Sequence, residues 1–478
     1  MAPRQDIEAA LRAAVGADGL LTDPADRWTY GYDNSRAHAL PRAVVLPADT
    51  AAVQRVVEVC RRFRLPLTVR GRGTGTTGAA IPEEGGIALS TERMAGILAV
   101  DAANRVAVVQ PGVTNGALQR AAAAAGFFWP PDPGSAEYCT IGGNLACNAA
   151  GPRALKYGTP RENTLGLEAV TGDGRIIRCG CYTTKGVVGL DLTRLLVGSE
   201  GTLAIITEAT LKLSPLPEQV ATLRAAYTDM HAAAAAVSRI MAQPVVPRVL
   251  EFLDRAALDL VRARDPGDLP PDAGALLMIE ADGLAGQLPA AVRALERAAA
   301  GEGLLEWRAA ADDAEAAALW AARKALSPLL RSLAPKKINE DVVVPVSRIP
   351  ELTDGLARLA ERHRVRIVSF GHAGNGNLHV NVLGEEADLA RMHACVDEVF
   401  RLVLALQGTL SGEHGIGRSK RAFVGLELGA DTLELMRQLK RVFDPDGILN
   451  PGVSLPGPSP QEEGSRGGAE RQRRGEDE

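Results

Sequence analysis

Arg70-Gly71-Arg72-Gly73-Thr74-Gly75-Thr76-Thr77-Gly78 contains a literal G-x-G-x-x-G, with its glycines at 73, 75 and 78. In a dinucleotide-binding Rossmann turn that pattern closes a strand and opens a helix. Here it follows a β-type run over residues 67–70, but Ala79-Ala80-Ile81-Pro82-Glu83-Glu84-Gly85-Gly86 comes next and leads into another strand. No Walker lysine accompanies it. What remains is a strand end followed by successive backbone N–H groups, two arginines and several hydroxyls. That combination suits a pyrophosphate nest rather than a Rossmann turn.

Two further small-residue patches lie in the same half of the chain. The first begins Pro131-Asp-Pro-Gly-Ser135-Ala-Glu-Tyr-Cys-Thr140-Ile-Gly142-Gly143-Asn144 and predicts a helix start at Thr140, where small residues let backbone donors approach an anion or an aromatic ring. The second, Gly198-Ser-Glu200-Gly201-Thr-Leu-Ala-Ile-Ile206-Thr, offers main-chain edges beside a strand. Three such loops fit a long ligand with a phosphate centre better than a simple phosphate.

Residues 40–215 are rich in glycine and short β-type runs, at 67–70, 106–110, 165–171, 176–178 and 203–213, with Asp173-Gly174 as a hairpin turn. Helices are predicted over 50–62, capped by Asp49 or Thr50, and over 115–125. After Pro215 and Pro217 longer Ala/Leu/Arg helices alternate with strands such as 249–253 and 275–280, an α+β pattern. A helix over 433–443 follows, and beyond Val453 the composition turns to Pro, Gly, Ser, Glu and Arg, which predicts a disordered tail over 454–478.

At 478 residues the chain predicts two or three domains, and its net charge of −5 gives no electrostatic case for nucleic acid. No apolar run is long enough to span a bilayer, and residues 1–16 read as a short amphipathic helix without a signal core. The six cysteines form no disulfide framework, and Cys179-Gly-Cys181 has no second pair, so a reducing cytoplasm is expected.

Three of the seven histidines fall in two glycine-rich patches, Gly371-His372-Ala-Gly-Asn-Gly-Asn-Leu-His379-Val-Asn381 and Ser411-Gly-Glu413-His414-Gly. Residues 377–382 read as a strand with Asn377, His379 and Asn381 on one face and Leu378, Val380 and Val382 on the other. His372, His379 and Glu413 suit a divalent metal with an open position, Zn or Mn, and leave His414 as a spare base.

Together with Lys156-Tyr-Gly and residues 165–170, the loops of the first half resemble the FAD-binding domain of the vanillyl-alcohol oxidase / p-cresol methylhydroxylase (PCMH) superfamily. Residues 371–381 and 412–417 resemble its FAD-linked D-2-hydroxyacid dehydrogenase branch, which includes D-lactate and D-2-hydroxyglutarate dehydrogenases and the GlcD-like FAD subunit of glycolate oxidase. The resemblance covers about residues 20–453. It implies an α+β protein: an N-terminal helical segment (1–36), a two-subdomain PCMH-type FAD-binding domain (37–216), and an α+β, ferredoxin-like substrate domain ending in a small helical segment (217–453). It further implies that FAD is held by Arg70, Gly71, Arg72, Gly73, Thr74, Gly75, Thr76, Gly112, Pro131, Ser135, Thr140, Gly142, Gly143, Asn144, Gly151, Glu200, Gly201, Ile206 and Asn450. With no histidine in the first loop, the flavin would be noncovalent.

The implied reaction is oxidation of a small D-2-hydroxy acid, D-lactate or glycolate. His414 takes the hydroxyl proton, a metal on His372, His379 and Glu413 polarises the substrate, and the hydride passes to flavin N5. Arg323, in Leu319-Trp-Ala-Ala-Arg-Lys, matches the family arginine that receives the substrate carboxylate, with Ser327 one turn on and Lys337 (or Lys336) nearby; Asn381 would contact the substrate or orient a ligand. Asn375 stands where many relatives carry Asp, which would remove a charge from behind the metal site. The electron acceptor would be a quinone, a cytochrome or an iron–sulfur partner subunit, with the chain a homodimer or part of a glycolate-oxidase-like complex peripheral to the inner membrane. A D-2-hydroxyglutarate dehydrogenase, a non-catalytic flavoprotein subunit and a metallohydrolase using the His/His/Glu set are the alternatives.

Overall fold

The computed structural model describes residues 4–264 and 269–457. Three sheets carry the architecture. The first places Ala43–Val45, Ile87–Ser90 and Leu67–Arg70 side by side in parallel, with Leu20–Leu21 antiparallel at one edge. The helix Thr50–Phe63 covers it with Val53, Val56, Val57 and Cys60; Asp49 is its N-cap, accepting from Ala52 N at 2.7 Å. The second sheet is antiparallel, ordered Ile97–Asp101, Val106–Val109, Ala204–Lys212, Thr164–Thr171 and Ile176–Gly180, with Asp173-Gly174 in the last hairpin. The chain then passes through Ser214–Pro215, paired with Phe127–Phe128, into a seven-stranded antiparallel sheet.

That third sheet runs Leu304–Ala309, Gln219–Tyr227, Ala275–Gly283, Val249–Asp254, Arg366–His372, Asn377–Gly384, Lys336–Val343. Strand side chains alternate between faces. One face presents Leu250, Phe252, Leu277, Ile279, Val342, Leu378, Val380 and Val382 to the helices Met230–Met241, Leu288–Ala299, Ile349–His363 and Leu389–Ala405, forming the largest core. The opposite face carries Leu253, Met278, Val368 and Phe370 against Leu258 and Leu326. The same parity places Glu251, Glu280, Asp341, His372 and His379 on that second face. One face is packed; the other is half core and half chemistry.

The end of the chain returns to the first domain. Leu67 N donates to Ile448 O at 2.8 Å and Asn450 N to Leu67 O at 2.9 Å, while Ile448 and Leu449 are buried in the first sheet's core. The first residues of the expected tail, 454–457, are described and make hydrogen bonds to the body of the protein. Ser454 Oγ donates to Glu200, and Arg437 Nε donates to Pro456 O at 3.2 Å. Residues 458–478 lie outside the described residues. Among the described residues no helix is long and apolar enough to cross a membrane. All six cysteines are free, so Cys179 and Cys181 do not pair with each other.

Candidate active site

A cavity of about 1110 Å³ opens between the glycine loops and the polar face of the seven-stranded sheet. Its first wall is made of backbone. Gly71 packs so closely on Thr140 that a Cβ there would sit 2.3 Å from Thr140 Oγ1, and a Cβ on Gly142 would lie 2.6 Å from Pro111 Cβ. Thr140 caps the helix Ile141–Cys147, its Oγ1 accepting from Gly143 N at 3.2 Å. A Cβ on Gly75 or Gly134, both lining the cavity, would meet nothing within 4 Å. Buried Arg70 Nε and Thr76 Oγ1 on this wall have no hydrogen-bond partner. Buried polar atoms are normally hydrogen-bonded, so these donors and acceptors, together with the cavity size, fit a large polar ligand such as FAD.

The facing wall is made of side chains. His372 Nε2 and His379 Nε2 lie 3.2 and 3.6 Å from Glu413 Oε1. Two N/O ligands held about 2.1 Å from a tetrahedral ion stand about 3.4 Å apart, so these separations fit a divalent metal. Each imidazole has a buried carboxylate behind it. Glu251 Oε1 bonds His372 Nδ1, and Asp341 Oδ1 lies 3.8 Å from His379 Nδ1. A carboxylate bonded to the far ring nitrogen, as Glu251 is, fixes the tautomer and orientation of a metal-binding histidine, whereas His379 Nδ1 has Asp341 near it but no hydrogen-bond partner. Asp341 does more: its Oδ2 accepts the N–H groups of Gly412, Glu413 and His414 at 2.9, 2.8 and 2.8 Å, shaping the loop that carries both Glu413 and His414. Asn377 Nδ2 holds Asp341 Oδ1 at 2.7 Å. The His414 ring stacks on His379, with centroids 5.1 Å apart and planes 13° from parallel.

Charge follows this geometry. Burial alone would lower His372, but Glu251 and Glu413 on its two nitrogens hold it well above the ordinary imidazole value. Burial would raise both carboxylates, yet His372 outweighs it and both stand at about 2, with Arg323 also acting on Glu251. His379 goes the other way: burial, then His414 and His372, push it down to about 3 and leave it neutral. The proton on His372 Nε2 thus faces Glu413, where a divalent cation would take its place.

The first domain also grips the second wall. Gly151 N donates to Glu413 Oε2 at 2.7 Å, and Thr77 Oγ1 donates to His414 O at 3.3 Å. Glu200 turns its carboxylate to the N–H groups of Ile416 and Gly417 at 2.8 and 3.0 Å. Asn450 joins Val69 N, at 2.8 Å, to Glu200 O, at 2.7 Å.

Of the residues predicted from sequence, Arg70 to Thr76, Ser135, Thr140, Gly142, Gly143, Asn144, Glu200, Gly201, Ile206 and Asn450 line the cavity, with Arg323, Ser327, His372, His379, Glu413 and His414. Five stand behind it instead. Gly112 packs under Thr91, where a Cβ would lie 2.2 Å from the carbonyl oxygen. Pro131 gives its carbonyl to Asn115 Nδ2 at 3.0 Å, and Gly151 serves Glu413. Asn381 is buried, its Nδ2 donating to Val368 O and His379 O, both at 3.1 Å. Lys337 sits beside the wall, donating to Ser327 Oγ at 3.2 Å, whereas Lys336 pairs outward with Glu386. Asn375 is exposed in a separate shallow pocket, so the charge behind the imidazoles comes from Glu251 and Asp341. Sequence reasoning missed both carboxylates. The available signal was an acid within a strand, Glu251 between Leu250 and Phe252 and Asp341 before Val342, because a buried charge requires a partner.

The fold is of the p-cresol methylhydroxylase type. A solved structure of p-cresol methylhydroxylase with substrate bound aligns with a TM-score of 0.78 at 17% identity, over 94% of this chain and 96% of that one. An alkyldihydroxyacetonephosphate synthase aligns with a TM-score of 0.73 at 20% identity, over 94% and 86%. Both likenesses concern the fold. Residues 41–180 match the family described as FAD binding domain, and residues 216–453 match FAD linked oxidases, C-terminal domain. Glycolate oxidase subunit GlcD of Bacillus subtilis (strain 168) is 38% identical over 452 residues, 94% of this chain and 96% of that protein. A D-lactate dehydrogenase of Archaeoglobus fulgidus is 37% identical over 439 residues, 90% and 95%. The chain belongs to the FAD-linked oxidase family, in the group of GlcD and this D-lactate dehydrogenase, and is an FAD-linked oxidoreductase.

Proposed function

We propose that this protein oxidises a small D-2-hydroxy acid, D-lactate or glycolate, to the 2-oxo acid, using noncovalent FAD and a divalent metal ion, Zn or Mn. The observation that carries the reading is the convergence of His372, His379, Glu413 and His414 on the same cavity as the glycine loops. Bound FAD supplies a two-electron acceptor and the divalent ion supplies Lewis acidity. His372, His379 and Glu413 would hold the ion. His414, stacked on the neutral His379 ring and fixed through its backbone N–H by Asp341, takes the hydroxyl proton. Arg323 donates Nε to Glu251, with Nη2 in the same ion pair, and keeps its Nη1 edge for the substrate carboxylate, with Ser327 and Lys337 extending that anchor. Trp320, whose Nε1 donates to Glu280 Oε1 at 2.6 Å, and Phe370 form the apolar flank. Electrons leave to a quinone, a cytochrome or an iron–sulfur partner subunit.

The test is anaerobic reduction of the bound flavin across D- and L-lactate, glycolate, D-2-hydroxyglutarate and D-malate. D-Lactate or glycolate should bleach the visible flavin band fastest. A preference for D-2-hydroxyglutarate would move the substrate within the family. A yellow protein that none of the five reduces would defeat the reading.

A further inference from the structure

Glu251, in the cavity wall, touches both halves of the substrate-binding apparatus. It lies mid-strand in Val249–Asp254, where Leu250 and Phe252 point into the core and Glu251 points the other way; it is 0% exposed. Its Oε1 bonds His372 Nδ1. Its Oε2 accepts from Nε of Arg323 at 2.7 Å and lies 2.7 Å from Nη2 in an ion pair. Arg323 is further fixed by the Phe370 ring, its guanidinium carbon 4.7 Å from the ring centroid. A buried carboxylate with both oxygens committed is a rigid object, because moving either partner leaves a buried charge unpaired.

We infer that Glu251 is a positioning residue that sets the metal-binding imidazole and the carboxylate-binding guanidinium in one frame. This inference rests on the metal-assisted reading above. By accepting Nδ1–H, Glu251 fixes the ring so that Nε2 of His372 faces Glu413, beside which the ion would sit. By occupying Nε and Nη2 with the same carboxylate, it turns the remaining edge of Arg323 into the cavity. The distance between the metal position and the carboxylate anchor is therefore set by one side chain on one strand, and with it the length of substrate that bridges them.

Glu251→Gln separates the two contacts. A glutamine can accept from His372 Nδ1–H or from Arg323, but its NH2 then faces a donor on the other side. A role limited to packing would leave ligand affinities alone, so the readouts are Mn²⁺ affinity and the split between KM and kcat. On FAD-loaded, chelator-stripped protein, equilibrium dialysis should show Mn²⁺ bound about 10- to 100-fold more weakly by Glu251→Gln than by wild type. At saturating Mn²⁺, KM for the preferred 2-hydroxy acid should stay about tenfold or more above wild type, since loss of a charged hydrogen bond has that size. Retained flavin absorbance reports the fold. If Glu251→Gln fails to hold flavin, Glu251→Asp keeps the charge but is one methylene too short to reach both partners, and at least threefold losses in both quantities are expected. Mn²⁺ affinity unchanged within twofold would overturn the inference, as would a KM that returns to the wild-type value once Mn²⁺ saturates. Wild-type protein that binds no Mn²⁺ or Zn²⁺ would remove the metal reading itself, an outcome distinct from loss of the coupling.

Discussion

The two walls of the cavity solve their problems with different materials. The wall from the first domain, Arg70 to Gly78 with Thr140 to Asn144, is backbone and small side chains, and its demand is space. The wall from the seven-stranded sheet is side chains, and its demand is charge: His372 between Glu251 and Glu413, His379 against His414, and Asp341 under the loop. A backbone wall is broken by adding atoms. A side-chain wall is broken by removing or neutralising them.

The largest break should come from removing the proton acceptor. His414→Ala is expected to slow substrate-driven flavin reduction by about 10²- to 10⁴-fold. Flavin content should stay at the wild-type level, because the FAD wall does not use that side chain. Unchanged reduction in stopped flow would take the base role away from His414.

Neutralising Asp341 should come next. Asp341→Asn keeps the shape but weakens the anchor of three successive N–H groups. Metal affinity should drop about 10- to 100-fold, with Glu413 and His414 losing their register together. An affinity equal to wild type in a metal titration would show that the loop holds its shape without that charge.

The opposite kind of break tests the first wall. In Gly71→Ala the new methyl would sit 2.3 Å from Thr140 Oγ1. Overpacking of this kind costs about 1–3 kcal/mol, so FAD affinity should fall about tenfold or more. Metal affinity, measured on the same protein, should move much less. Equal losses at both sites would erase the distinction between the walls.

The pH response is the finest comparison. In metal-free protein Glu251 stands at about 2, below an unfolded value of about 4.3. Its contribution is present above the unfolded value and is lost as pH falls from about 4.3 toward 2, about 3 kcal/mol in all. Urea midpoints between those limits should fall more steeply for wild type than for Glu251→Gln. Parallel slopes would mean that the His372–Glu251–Arg323 contact contributes nothing to acid stability.

Much of the first wall was legible because glycine and hydroxyl loops advertise themselves locally, and because the residues after Gly78 lead to a strand rather than a helix. The strand over 377–382 was legible for a similar reason: its alternation places His379 and its core partners on opposite faces without outside information. Glu251 and Asp341 were not legible as site residues. Each lies on a different strand, more than 35 positions from the histidine it serves, and the sheet order that brings Val249–Asp254 beside Arg366–His372 is a tertiary fact. Asn375 misled because closeness in sequence to His372 is not closeness in space; the turn at Gly376 carries it outward. Gly112, Pro131 and Gly151 have the composition of a ligand loop, yet their backbone groups serve neighbouring protein.

The central claim is that a flavin and a metal ion act from opposite walls on one 2-hydroxy acid. Its most direct test is anaerobic single-turnover reduction of the flavin by D-lactate or glycolate on one preparation, measured as purified, after chelation, and after Mn²⁺ or Zn²⁺ is returned. Bleaching should disappear on chelation with the flavin still bound, and reappear with the ion. Full-rate bleaching in protein verified to be free of metal would contradict the account.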